Sequence, residues 1–99
     1  MSAPEHVLTV ARGTGEGQQS VSVSGTSAAT SNAIGADECV VYANVECFVL
    51  AGSNPTATVA AGTPLSAGQT IRLRGIQPGD KLAFITASGT GTAYVRPGA

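Results

Sequence analysis

Short stretches of alternating apolar and polar residues recur along this chain, separated by breaks that contain Gly or Pro. Over residues 18–24, Val21 and Val23 fall on one face and Ser20, Ser22 and Ser24 on the other, the period of two that marks a half-buried strand. Residues 70–74 repeat it, with Ile71 and Leu73 set against Arg72 and Arg74. Residues 81–87 place Leu82 and Phe84 on one face and Ala83 and Ile85 on the other; apolar side chains on both faces predict a central strand. Residues 38–42 and 47–51 are the most apolar stretches and are short enough for core strands, with Ala43-Asn44-Val45 turning between them. Residues 6–12 (Val7, Leu8, Val10), 57–59 and 92–96 read as further strands, and residues 25–37 as extended chain or an edge strand anchored by Ile34.

Between these segments the breaks carry turn chemistry. Gln77-Pro78-Gly79-Asp80 has Pro and Gly at the two central positions of a type II turn, each where its φ preference is needed. Ser53-Asn54-Pro55, Gly62-Thr63-Pro64 and Ser88-Gly89-Thr90-Gly91 punctuate the rest, and no segment sustains a 3.6-residue apolar period. About seven to nine short strands at this spacing predict an all-β chain: one antiparallel β-sandwich or barrel, jelly-roll or immunoglobulin-like. It would span residues 1–99 as a single domain, with residues 1–17 an extended N-terminal arm and loop that includes the flexible Gly13-Thr14-Gly15-Glu16-Gly17.

Composition sharpens this picture. Alanine, glycine, serine and threonine make up 49 of the 99 residues, and hydrophobic residues reach 42%, too many for a disordered chain whose net charge is −1. Charged residues are 11%, against about 25% in soluble domains generally, which implies that surface is covered by other copies or partners. Near-neutral charge and scattered cations (Arg12, Arg72, Arg74, Lys81, Arg96) argue against direct nucleic-acid binding. No stretch has the apolar length of a transmembrane helix. The first residues lack the basic region and apolar core of a secretion signal, giving the expectation of a chain folded in a cytoplasm.

Candidate chemistry is sparse. Cys39 and Cys47 read as small buried hydrophobes on two arms of one hairpin, with a cross-strand disulfide as the alternative if the loop length puts them on one face. Two thiols and a distant His6 do not complete a metal shell. His6 is the single histidine, and the carboxylates Glu5, Glu16, Asp37, Glu38, Glu46 and Asp80 fall mostly at turns and strand ends, so no catalytic residue is assigned and an enzyme is not expected. No cofactor is expected either; the glycine-rich loop lacks the Gly-Lys-Ser/Thr ending and following helix of a phosphate loop. Arg72 and Arg74 share one polar face. The plain account is a solvated surface; the sharper one is a subunit contact in which the planar guanidinium holds a carboxylate. The four aromatics, Tyr42, Phe48, Phe84 and Tyr94, are assigned to the core, leaving no aromatic platform for carbohydrate.

From Ser31 onward the chain resembles the small all-β virion proteins of tailed bacteriophages. The residues that carry the resemblance are Ser31-Asn32-Ala33-Ile34, the strand 39–42, Gly52-Ser53-Asn54-Pro55-Thr56-Ala57-Thr58, Leu65-Ser66-Ala67-Gly68, Gln77-Pro78-Gly79-Asp80-Lys81-Leu82-Ala83-Phe84-Ile85 and Gly91-Thr92-Ala93-Tyr94-Val95. The resemblance implies a non-enzymatic virion component, assembled in the host cytoplasm: a capsid decoration, cement or head-associated protein that binds and stabilises the shell. Its implied partners are the major capsid protein or other virion proteins and further copies of itself, a trimer being one form. The alternative is a tail- or fibre-associated adhesin that recognises a host surface; a small cytoplasmic enzyme or toxin-like factor stands third. The resemblance transfers no functional residue.

Overall fold

The computed structural model describes residues 18–97, which form eight strands: β1 (Gln19–Val23), β2 (Ala28–Ala29), β3 (Glu38–Ala43), β4 (Cys47–Gly52), β5 (Thr63–Leu65), β6 (Gln69–Arg74), β7 (Lys81–Ile85) and β8 (Gly91–Pro97). They make two antiparallel four-stranded sheets, a front sheet ordered β1-β8-β3-β6 and a back sheet ordered β2-β7-β4-β5. The pairs β4–β5, β3–β6, β2–β7 and β1–β8 are nested, so the chain is one long hairpin folded at residues 53–62. Successive pairs alternate between sheets, and β3–β8 and β4–β7 stitch each sheet across its middle. Nested pairing of this kind is the winding of a jelly roll. Of the expected architectures it selects a sandwich over a barrel and a jelly roll over an immunoglobulin-like order.

The period of two does the sorting. Val21, Val23, Cys39, Val41 and Val95 point inward from the front sheet, and Cys47, Val49, Leu65, Leu82 and Phe84 point inward from the back. Phe84 is the largest fully buried side chain, and Ile34 and Ile76, from the connections, join the same core. At the expected type II turn, Asp80 N–H donates to the Gln77 carbonyl at 3.0 Å and Gly79 has φ of 84°. The Asp80 carboxylate locks it by accepting from Gln77 N–H at 3.0 Å.

Three expectations need correction. Residues 57–59 are not a strand: Thr58 starts a tight turn in which its carbonyl accepts from Ala61 and Gly62 N–H and its hydroxyl from Ala61 N–H. The segment read as a break at 62–64 instead opens β5, and Pro64 is accommodated there because β5 is an edge strand, where a missing N–H costs no ladder bond. Cys39 and Cys47 are not on one hairpin, since β3 and β4 lie in different sheets. The strand expected over residues 6–12, and the whole arm over 1–17, lie outside the described residues.

Candidate functional site

The two outer faces of the sandwich are built differently, and the difference locates the candidate site. On the back sheet the alternation turns Phe48, Leu50, Ala83 and Ile85 outward. The β4–β5 connection, residues 53–62, lies over them. Gly62 backs directly onto Phe48: a Cβ added there would stand 2.7 Å from the Phe48 Cβ. Ala57 N–H reaches Ser27 Oγ at 2.8 Å, on the β2 side of β7. Between those two anchor points Ala57 is 1% exposed, and Ala83 is 0% exposed although it belongs to the outward set. The apolar character of β7 on both faces is thereby explained: one face meets the core and the other meets this loop.

Among the described residues, no connection covers the front sheet in the same way. Its outer face carries Ser20 and Ser22 from β1, Thr92, Tyr94 and Arg96 from β8, Glu38, Val40 and Tyr42 from β3, and Thr70, Arg72 and Arg74 from β6. Register aligns them in rows. Tyr42 stands opposite both Tyr94 and Thr70; Val40 stands opposite both Arg96 and Arg72; Glu38 stands opposite Arg74. The two tyrosine rings lie 6.2 Å apart, tilted by 32°, within the range of favourable aromatic pairs. Both are substantially exposed, Tyr42 at 37% and Tyr94 at 43%.

Arg72 and Arg74 therefore do share the outward face, as their spacing predicts, and the fold adds Arg96 and the tyrosine pair beside them. Arg72 Nε lies 4.0 Å from Glu38 Oε1, with both side chains partly exposed; an ion pair of that length and exposure adds little to stability. Val40 is 7% exposed yet stands apart from the main core. Register sets Arg72 and Arg96 on either side of it, and long cationic side chains can lay their aliphatic stems over an apolar neighbour. Of the four aromatics assigned to the core, Phe84 alone lies in it; Phe48 turns outward under the 53–62 loop, and the two tyrosines stand on the front face. The signal was present in parity, since Tyr42 alternates with Val41 and Ala43, and Tyr94 with Ala93 and Val95.

Elsewhere the chemistry is muted. Cys39 and Cys47 are free and fully buried. Burial pushes the Cys39 thiol up to about 11 and raises that of Cys47, which disfavours the reactive thiolate. A hollow of about 330 Å³ at one end of the sandwich is lined by Gly35, Ala36, Asp37, Ile76, Pro78 and Gly79. Asp37 is the one carboxylate among the described residues of that lining. Among the described residues no cluster of His, Cys, Asp and Glu has the makings of a metal site, and no helix is long and apolar enough to cross a membrane. No protein-family model, curated protein or solved structure matches the chain.

Proposed function

We propose that this protein is a non-enzymatic structural component of a phage virion, a capsid decoration or head-associated protein that works by laying one sheet face against neighbouring proteins. The observation that carries the reading is the asymmetry of the sandwich. The back sheet is closed by the chain's own loop, while the front sheet, among the described residues, presents an open face with two exposed tyrosines and three arginines. Tyr and Arg are the residue types enriched where protein interfaces concentrate their binding energy. Few charges and many small side chains permit close approach between neighbouring backbones. Bound across adjacent capsid subunits, such a face adds interface area that resists internal pressure.

The jelly-roll winding is used by viral capsid and lectin domains alike, so it supports the virion reading by analogy and leaves the tail or fibre adhesin as its rival. Cryo-electron microscopy of the particle that carries this chain separates them. Density on the outer shell, repeated with the capsid lattice, is the expected result. Density confined to the tail tip overturns the head assignment in favour of the adhesin, and absence from the particle overturns both.

A further inference from the structure

From the charge layout we infer that the front-sheet face is a docking surface for an extended acidic segment of a partner protein, with Arg72, Arg74 and Arg96 receiving its carboxylates and the Tyr42–Tyr94 pair forming the apolar floor. This inference deepens the virion reading by naming the face and the charge of what it binds. It also stands on observations of its own.

The first is segregation of charge. The cations among the described residues are Arg72, Arg74, Lys81 and Arg96, and the carboxylates are Asp37, Glu38, Glu46 and Asp80. Three of those four cations lie on the front face with one of the four carboxylates, Glu38. The described domain is thus neutral as a whole, with the front face at +2 and the remainder at −2. Among the described residues the arginines all gather on the face that no described segment covers, which makes that face complementary to acidic protein.

The second is spacing. Arg72 and Arg74 are alternate residues of β6, about 7 Å apart along the strand, and Arg96 and Arg72 flank Val40 across two strand spacings, about 10 Å. Carboxylates at alternate positions of an extended chain repeat at the same interval of about 7 Å. Guanidinium groups hold carboxylates through paired N–H donors in a fixed fork. The tyrosine pair lies in the next row, Tyr42 two residues along β3 from Val40, giving the partner apolar contact and hydroxyls to bond.

Two other occupants fit less well. A second copy docked through the same face would bring +2 against +2. A nucleic acid needs many cations to release its counterions, whereas this face holds three.

The test uses the full-length protein with three probes: a poly-L-glutamate peptide, an oligothymidylate of equal length, and capsids of the phage that encodes the chain. Backbone amide shifts should move with poly-L-glutamate at Val40, Tyr42, Tyr94 and Arg74, and binding should weaken with salt. The Arg74→Glu/Arg96→Glu variant should weaken it about tenfold or more, and Arg74→Gln/Arg96→Gln by a smaller factor in the same direction. Amide shifts mapping to another surface overturn the inference, as does unchanged affinity in both variants. So do preferential binding of oligothymidylate at this face and titration-dependent self-association through it. Capsids that bind wild type and both variants equally sink the inference and leave the virion reading intact. Capsids that ignore wild type while poly-L-glutamate binds the face do the reverse.

Discussion

On the back sheet, four apolar side chains point away from the core and ten residues of main chain, 53–62, are spent covering them. On the front sheet the outward positions are polar or amphipathic, and the single small aliphatic among them, Val40, is 7% exposed between Arg72 and Arg96. The same β alternation thus ends in a closed face and an open one. The closed face is part of the folding unit, because removing its cover would leave Phe48, Leu50, Ala83 and Ile85 in water. The front face, with no described segment laid over it, carries polar and amphipathic side chains that are stable in solvent. Substitutions matched across the two faces should therefore behave in opposite ways.

The largest expected contrast comes from placing the same charge on each. Ala83→Asp sets a carboxylate between the back sheet and its covering loop, at a site with 0% exposure. An uncompensated charge there should cost ~3 kcal/mol or more and lower Tm by more than ~10 °C. Ser22→Asp, outward and exposed on β1, should stay within ~0.5 kcal/mol of wild type. Thermal unfolding followed by circular dichroism measures both, and comparable losses at the two positions would remove the distinction between the faces.

A second contrast acts through the cover itself. Gly62→Val drives side-chain atoms into Phe48 and toward the Thr58 carbonyl, so either the loop lifts or β4 shifts, at about 1–3 kcal/mol. Hydrogen exchange should then quicken at Ala57, whose N–H bond to Ser27 pins the far end of the loop, while the front sheet keeps its protection. Faster exchange spread evenly over both sheets would mean that the loop does not act locally.

How much of this was readable in advance depended on whether the deciding interaction was local. Alternation placed β1, β6 and β7, and short runs between turn residues placed β3, β4 and β8, all within a residue or two, and Pro78-Gly79 specified its turn, because these signals live in neighbouring residues. The two-faced apolar pattern of β7 pointed to a central strand, and that is its place, between β2 and β4. Pro64 misled: turn chemistry and edge-strand tolerance look alike in a sequence, and only the neighbouring β4 decides between them. The cysteines misled for a related reason, since strands adjacent in sequence need not pair, and in a jelly roll β3 and β4 pair with β6 and β5 instead. Arg72 and Arg74 were visible as a pair on one strand; Arg96, Tyr42 and Tyr94 joined them only through register across three strands.

The inner side of the sandwich is common to both faces and supplies a pH probe. Cys39 belongs to the front sheet and Cys47 to the back, and burial raises both thiols, Cys39 to about 11 from an ordinary value of 9.0. The folded state therefore favours the protonated thiol. That contribution, about 3 kcal/mol for Cys39, is whole below pH 9 and is lost as pH climbs through 11. Comparing denaturation midpoints of wild type and Cys39→Ala near both pH values isolates it: wild type should lose more stability over that interval than the variant. Equal losses would mean that this thiol does not carry the alkaline sensitivity.

The smallest effect concerns what shields the open face. If Val40 is kept from water by arginine stems, the protection resides in methylene groups and not in charge. Arg96→Met retains a long aliphatic chain over Val40 and should leave stability within ~0.3 kcal/mol of wild type, whereas Arg96→Ala uncovers it and should cost about 0.5–1 kcal/mol, the worth of roughly one buried methylene. The same two variants should be alike in a binding assay with an acidic peptide, because both lose the guanidinium. Stability then follows the stem and affinity follows the charge. Urea unfolding and peptide titration on the same pair of proteins read the two quantities separately, and a Met variant as unstable as the Ala variant would show that Val40 owes its burial to something other than the side chain beside it.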